Sequence, residues 1–156
     1  MIGRIVGAAF LASLAACQPS TGNSAPLGQS AAGLDLIPLT VTSKGKVHRF
    51  TVEVAATPEQ QTMGLMNRSS MAADRGMIFP FPEPRPASFW MKNTLIPLDI
   101  IFVRTDGTIA NIAANAVPLS EEPMSSEGIV GSVLELNGGQ SAELGIGPGD
   151  KVEWQH

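Results

Sequence analysis

Residues 88–102 read SFWMKNTLIPLDIIF, in which two apolar segments flank a polar turn. Aromatic and β-branched residues dominate residues 87–91 and 98–104, and this composition predicts two strands. Residues 92–97 lie between these two segments and contain three polar residues and a proline, which predicts a turn. Because side chains alternate along a strand, Phe89 and Met91 share one face and Trp90 lies on the other. One aromatic ring of this segment is therefore expected outside the main core.

The flanking sequence extends the β pattern in both directions. Asp106-Gly107 is a hairpin signal, and residues 108–116 form the returning strand. Upstream, residues 46–55 alternate between an apolar and a polar face, as a half-buried strand does. A capping box at residues 57–60 predicts one short helix, and residues 138–144 predict another. We expect a mainly β fold, a single compact β-sandwich or barrel (jelly-roll-like) of about seven or eight strands with two short helices.

Three segments carry a pattern that is more specific than alternation. They are GLMNR at 64–68 with GMIF at 76–79, the stretch at 88–102, and VLELNGG at 133–139 with LGI at 144–146 and GD at 149–150. In this order they resemble the DUF192 family, a domain of unknown function, over residues 47–153. The resemblance implies a mainly β, jelly-roll-like or barrel-like fold, and it implies no established activity.

The N-terminus has the features of a bacterial lipoprotein signal. Arg4 is the only charge before Asp35, and Gly and Ser alone interrupt the apolar residues 5–14. Such a run is too short to span a hydrocarbon core about 30 Å thick, so it predicts an export signal. Leu14-Ala15-Ala16-Cys17 resembles the lipoprotein box, in which the signal is cut before a Cys that receives lipid. We therefore expect residues 1–16 to be removed.

Lipid on Cys17 would hold the mature protein at a membrane, because several buried acyl chains give stable anchoring. Gln18 follows, and in Gram-negative lipoproteins a residue other than Asp at this position is associated with the outer membrane. We expect an exported lipoprotein of the cell envelope, on the periplasmic face of the outer membrane in a Gram-negative cell. Residues 17–34 are uncharged and rich in small residues, which predicts a flexible linker before a single domain at residues 35–156.

Composition excludes several functional classes. The chain has 10 Lys and Arg against 14 Asp and Glu, and its formal net charge of −4 argues against a nucleic-acid partner. One Cys cannot form an intrachain disulfide or a Cys-based zinc cluster. We predict no cofactor and no metal site of the usual His and Cys ligands.

The turn after Trp90 is the candidate binding surface. Polar side chains that can converge on a ligand lie in this turn and at the ends of strands: Lys92, Asn93, Thr94, Asp99, Glu135 and Asn137. An aromatic ring with amides and carboxylates can hold polar envelope ligands such as glycans or peptides. The structural alternative is that the turn side chains bond to backbone, while Asp99 or Glu135 pairs with Lys92 or caps a loop.

The leading functional hypothesis is a non-enzymatic binding module for an unknown envelope ligand or protein, acting through residues 90–99. Nucleophilic catalysis needs an activating base, and His48 is the one internal His. The alternative is an envelope hydrolase that uses Asp99 and Glu135 as paired carboxylates. A further alternative is copper binding, because Met63 and Met66 share one helix face and thioethers suit Cu(I), although Met also fills cores.

Overall fold

The computed structural model describes Gly3 and residues 27–155, so Cys17 and most of the predicted signal lie outside the described residues. In chain order the elements are β1 Leu36–Ser43, β2 Lys46–Val54, α1 Pro58–Met63, β3 Arg75–Arg85, β4 Ser88–Phe89, β5 Leu98–Val103, β6 Ile109–Ala116, β7 Met124–Ser125, β8 Val130–Asn137, α2 Gln140–Leu144 and β9 Lys151–Trp154. The prediction of a mainly β fold with two short helices is confirmed. Neither described helix is long and apolar enough to cross a membrane.

Seven strands form one large sheet in the order β6-β5-β8-β3-β2-β1-β9. Its neighbouring strands are antiparallel except β2 and β3, which run parallel. The two ends of this order approach each other at a bridge between Thr108 and Lys151. The sheet therefore curls back on itself without closing into a complete barrel. The short strands β4 and β7 pair separately as a ribbon, which raises the number of strands in residues 27–155 to nine.

Two apolar clusters occupy the two faces of the curled sheet. The inner cluster takes at least one residue from every strand of the large sheet: Ile37, Leu39, Val41, Phe50, Val52, Ile78, Ile101, Val103, Ile109, Leu134, Leu136 and Val152, with Ile146 from the loop after α2. The outer cluster lies on β3, β5 and β8 beneath the loop residues and the β4–β7 ribbon, and includes Met77, Phe79, Met91, Ile100, Phe102 and Val133. Burial of each large side chain contributes about 1.5–3 kcal/mol, so both faces stabilise the fold.

Gly76 allows β3 to run very close to β8. A Cβ atom at this position would lie 2.6 Å from the backbone oxygen of Glu135 and 2.9 Å from Cδ2 of Leu136. Both separations are too short for a real side chain, so glycine is required here by close packing. The GMIF segment therefore places Phe79 beside the strand that carries Glu135.

The part of the chain that immediately precedes β1 is folded onto the sheet. The backbone N–H of Leu27 donates to the carbonyl oxygen of Leu36 at 2.7 Å. Ser30 Oγ donates to the Glu53 carboxylate on β2 at 3.1 Å. Residues 27–34 thus belong physically to the domain, although their composition resembles that of a linker. Their partners lie on the sheet, and composition does not reveal them.

Candidate functional site

A cleft of about 380 Å³ opens on the outer face of the sheet, between α1 and the segment after β4. Apolar, thioether and aromatic side chains line it: Met63, Leu65, Met66, Phe79, Phe89 and Trp90. Its polar lining consists of Gln61, Thr62, Arg85, Ser88, Thr94 and Glu135. The volume and the mixture of an apolar wall with a few polar groups are typical of small-molecule sites.

Glu135 lies at the base of this cleft. It sits on β8 between two neighbouring strands, opposite Met77 of β3 and Ile100 of β5, and is only 5% exposed. None of the described residues donates a hydrogen bond to its carboxyl group. Burial raises the pKa of Glu135 to about 8, although the positive charge of Arg68 opposes this rise. The group is therefore largely a neutral carboxylic acid at pH 7, able to donate as well as accept a hydrogen bond.

Arg68 does not neutralise Glu135, because its guanidinium is engaged elsewhere. Its Nη1 and Nη2 atoms donate to the two carboxylate oxygens of Glu53 at 2.5 and 2.7 Å. Burial raises the pKa of Glu53, but the hydrogen bonds from Arg68 and Ser30 and the charge of Arg68 outweigh burial, so the pKa lies below its ordinary value. This ion pair leaves only the long-range field of Arg68 acting on Glu135.

The aromatic wall of the cleft runs from the outer core to the surface. Phe79 and Phe89 meet edge to face with their ring centroids 5.1 Å apart, and Phe89 approaches the buried Phe102 at 6.3 Å. Trp90 continues this wall but is 48% exposed at the mouth of the cleft. Lys92 Nζ lies 5.0 Å from the centre of the Trp90 ring. A rigid wall thus ends in an exposed ring that already attracts a cation.

The turn at residues 92–94 combines structural and site roles. Asn93 adopts a left-handed backbone with φ of 55°, and its carbonyl oxygen accepts a hydrogen bond from Asn67 at 2.8 Å. Its Nδ2 atom lies 4.0 Å from Sδ of Met66 at the cleft wall. Thr94 lines the cleft but donates through Oγ1 to the Lys92 carbonyl oxygen at 3.3 Å. The expectation that a turn side chain bonds to backbone is therefore met by Thr94 but not by Asn93, and Lys92 pairs with Glu121 and not with Asp99 or Glu135.

Asp99 lies on the opposite face of the sheet from the cleft. Its carboxylate accepts hydrogen bonds from the backbone N–H groups of Asn115 at 2.7 Å, Gly139 at 2.8 Å and Ser141 at 2.7 Å. Gly139 is the N-cap of α2 and has no side chain to offer, so Asp99 supplies the capping oxygens from a neighbouring strand. Asp99 is fully buried and its contacts serve the fold.

Asn137 also has structural contacts outside the cleft. Its Nδ2 atom donates to the carbonyl oxygens of Met71 and Ala72 at 3.1 and 3.2 Å, which ties the loop before β3 to the end of β8. The residues chosen from the sequence therefore divide into two sets. Trp90, Thr94 and Glu135 line one cleft with Lys92 and Asn93 at its edge, whereas Asp99 and Asn137 hold loops in place.

Sequence reasoning missed most of the cleft wall. Phe89 is predicted only to share a strand face with Met91, Phe79 enters only through the GMIF segment, and Arg85 is assigned no role. Met63 and Met66 had been considered for copper alone, without the aromatic partner that they share in the cleft. The available signal was the presence of Met66, Phe79 and Phe89 in the GLMNR, GMIF and SFW segments, but nothing in one sequence shows that these segments meet.

Two methionine side chains line the cleft. Met63 is 56% exposed, and it lines the cleft together with Met66 and Trp90. Across the described residues, no group of three or more His, Cys, Asp or Glu is placed to hold a metal ion. Thioethers are ligands that suit a soft ion such as Cu(I).

Solved structures that are similar to this chain include two that match most of its length. A crystal structure of a protein of unknown function from Novosphingobium aromaticivorans DSM 12444 is 47% identical, with a TM-score of 0.81, over 89% of this chain and 99% of that chain. A structure from Sinorhizobium meliloti 1021, described as a candidate transcription regulator, is 47% identical with a TM-score of 0.76, over 78% of this chain and 95% of that one. No protein with a curated function matches the chain.

The family comparison covers nearly the whole described domain. The model of DUF192, whose description is "Uncharacterized ACR", matches residues 39–154. This range runs from the middle of β1 to the end of β9 and contains every residue that lines the cleft. The chain therefore belongs to the DUF192 family.

Proposed function

We propose that this protein is a non-enzymatic binding module tethered in the cell envelope through lipid on Cys17, and that the cleft above Glu135 is its ligand site. The observation that carries the proposal is the Glu135 carboxyl, buried at the base of an aromatic cleft without a hydrogen bond from any described residue. The carboxyl lines the cleft and is therefore accessible from it. A ligand that enters the cleft can bond to this carboxyl without displacing a protein partner.

The chemistry of the cleft describes the ligand in outline. Phe89 and Trp90 offer flat surfaces to an apolar or planar body, and Glu135 offers a single polar contact at the base. The exposed half of Trp90 allows a larger envelope molecule, such as a glycan or a peptide, to extend beyond the mouth. The outer membrane and its periplasmic face remain the proposed location, on the basis of Gln18 after Cys17.

A binding role fits the arrangement of the acids better than hydrolysis does. The hydrolase alternative requires Asp99 and Glu135 to flank one bond, and the sheet separates their side chains. Asp99 is also fully engaged by three backbone N–H groups. DNA binding has no support in the charge of this chain, because a formal net charge of −4 repels the phosphate backbone.

A fragment screen by ligand-observed NMR tests the proposal. Fragments that bind the purified protein are measured again with Trp90→Ala and with the control Ile129→Ala, which removes an exposed apolar side chain outside the cleft. We expect the cleft ligands to lose at least about tenfold in affinity with Trp90→Ala and to be unaffected by the control. Fragments that bind both variants like the wild type, or a screen without binders, would contradict the proposal.

Copper(I) is a second candidate, favoured by one observation. Met63, Met66 and Trp90 line the same cleft, so two thioethers and an indole face lie within one site. A competition titration with Cu(I) compares the wild type with Met63→Leu/Met66→Leu and with Met71→Leu, whose side chain lies outside this cleft. A loss of Cu(I) affinity confined to the double variant would support this candidate, and unchanged affinity would remove it.

A further inference from the structure

The base of the cleft carries one acid, Glu135, that has no ion-pair partner among the described residues, and this indicates the charge of the ligand. We infer that the cleft takes an organic ammonium group, with the Glu135 carboxylate as its counter-ion and the rings of Phe89 and Trp90 as its walls. This inference rests on the proposed function, since it names the ligand class of the same site. It is carried by the contacts of the buried acids, by the aromatic wall and by the places of the neighbouring cations.

The acids that the fold itself requires are fully satisfied. Asp99 accepts three backbone hydrogen bonds, and Glu53 is held by Arg68 and Ser30. Glu135 differs from both, because within residues 27–155 it has neither a hydrogen-bond donor nor an ion-pair partner. An isolated charge in such a place is costly, so it stays protonated until a positive group arrives. A cationic ligand supplies the missing partner.

The walls of the cleft also favour a cation. The face of an aromatic ring carries negative potential and attracts an ammonium group within about 6 Å of its centre. Trp90 shows this preference directly, since Lys92 Nζ lies 5.0 Å from its ring centre. Phe89 stands beside it, fixed edge to face against Phe79 at 5.1 Å. A ligand ammonium at Glu135 would therefore touch aromatic surface and a carboxylate together.

Neighbouring cations in the described part of the chain do not pair with Glu135, although Lys92 Nζ lies beside the Trp90 ring, where it also pairs with Glu121 at 4.0 Å. Both Nη atoms of Arg68 donate hydrogen bonds to the Glu53 carboxylate. Arg85 is the single Lys or Arg among the described residues that line the cleft, and its guanidinium stacks 4.0 Å from the centre of the Phe81 ring. Arg85 disfavours a second cation at its own end and leaves the Glu135 end as the place for an ammonium group.

Isothermal titration with choline and its uncharged isostere 3,3-dimethyl-1-butanol tests the inference. The two probes have the same shape, so their difference in affinity reports the charge. We expect choline to bind the wild-type protein at least about tenfold more tightly, and Glu135→Gln to remove this advantage while leaving the isostere unchanged. Choline affinity should also rise from about pH 6 to about pH 9 in the wild type and stay flat in the variant, because Glu135 ionises over this range and Gln does not.

Three results would overturn the inference. The first is equal binding of both probes, the second is choline binding that survives both Glu135→Gln and Trp90→Ala, and the third is no choline binding up to about 10 mM. As a control, Glu135→Gln must show a cooperative thermal unfolding transition. We expect this because Gln resembles the neutral carboxylic acid that it replaces. If uncharged fragments still bind the cleft in the NMR screen, the ammonium inference alone fails and the proposed function stands.

Discussion

The side chains of Asp99 and Glu135 point to opposite faces of one sheet, although they lie on adjacent strands. β5 and β8 pair so that Glu135 is opposite Ile100, and Asp99 is opposite Leu136. Because side chains alternate along a strand, this offset of one residue places one carboxyl inside the curled sheet and the other in the cleft. Asp99 meets three N–H donors there, while Glu135 meets no donor among the described residues. The first acid therefore stabilises the fold, and the second costs stability once it ionises.

The pH dependence of stability should carry the signature of Glu135. Its pKa is raised from 4.5 to about 8 in the folded state, so between these values the unfolded chain binds fewer protons. The free energy of unfolding of the wild type should then fall by up to about 1.4 kcal/mol per pH unit relative to Glu135→Gln.

Urea denaturation of both proteins at several pH values measures this difference. Below pH 4.5 the difference in unfolding free energy should no longer change with pH, because Glu135 is protonated in both the folded and the unfolded wild type. Two parallel pH profiles across the whole range would show that the carboxyl ionises normally in the folded protein.

Asp99→Asn should destabilise the domain by about 2–4 kcal/mol. The amide replaces one acceptor oxygen by a donor that faces backbone N–H groups, and α2 loses its cap. Chemical denaturation checks this value against Asp74→Asn, whose side chain is 71% exposed and should change stability by less than about 0.5 kcal/mol. Equal stability of the two variants would mean that Asp99 is not the cap that its contacts indicate.

Arg68→Met should cost about 1–3 kcal/mol at neutral pH, because it leaves the partly buried Glu53 carboxylate with only the Ser30 hydroxyl. Since the pKa of Glu53 is lowered in the folded state, its stabilising contribution is present above 4.5 and is lost as the pH falls through the folded value. The difference between wild type and variant should therefore shrink in acid.

Glu121→Gln provides the comparison for the Arg68 variant. It breaks an exposed pair in which Lys92 Nζ is 4.0 Å from the carboxylate, so its effect should be close to zero. A cost for Arg68→Met that is equally small, or that persists unchanged in acid, would contradict the role of this ion pair.

Cys17→Ser should abolish lipid attachment. Thiol chemistry is needed for the thioether, and a hydroxyl at this position cannot replace it. Metabolic labelling with an alkyne fatty acid and partition into detergent report the change, with Ser20→Ala as the matched control. A Cys17→Ser protein that is still labelled and still detergent-dependent would exclude the lipoprotein assignment.

Local chemistry made several elements predictable. The capping box at the start of α1 forms as expected, with Gln60 N donating to Thr57 Oγ1 at 3.2 Å and Thr57 N donating to Gln60 Oε1 at 3.0 Å. The alternation in residues 46–55 corresponds to β2, which ends at Val54. Such signals involve residues within one turn or one strand, so they can be read without knowing the neighbours.

The composition of the cleft was not predictable in this way. Met66, Phe79, Trp90 and Glu135 belong to four separate segments that meet only when β3 pairs with β8 and the β4 segment folds over them. Strand pairing depends on contacts between residues that are distant along the chain, and one sequence does not show which residues make these contacts. The sequence therefore pointed to the right segment around Trp90 but also included Asp99 and Asn137, which lie elsewhere.

By itself, the sequence determined the β class, the short helices and the family pattern, because each depends on local order or composition, and the lipid anchor stays a prediction. Tertiary structure alone decided which of two similar acids is a cap and which faces a cleft. That choice depends on the register of β5 against β8 and on the loops that cover each face. A shift of one residue in this register would bring Asp99 opposite Glu135 on one face of the sheet, and no local pattern records the actual register.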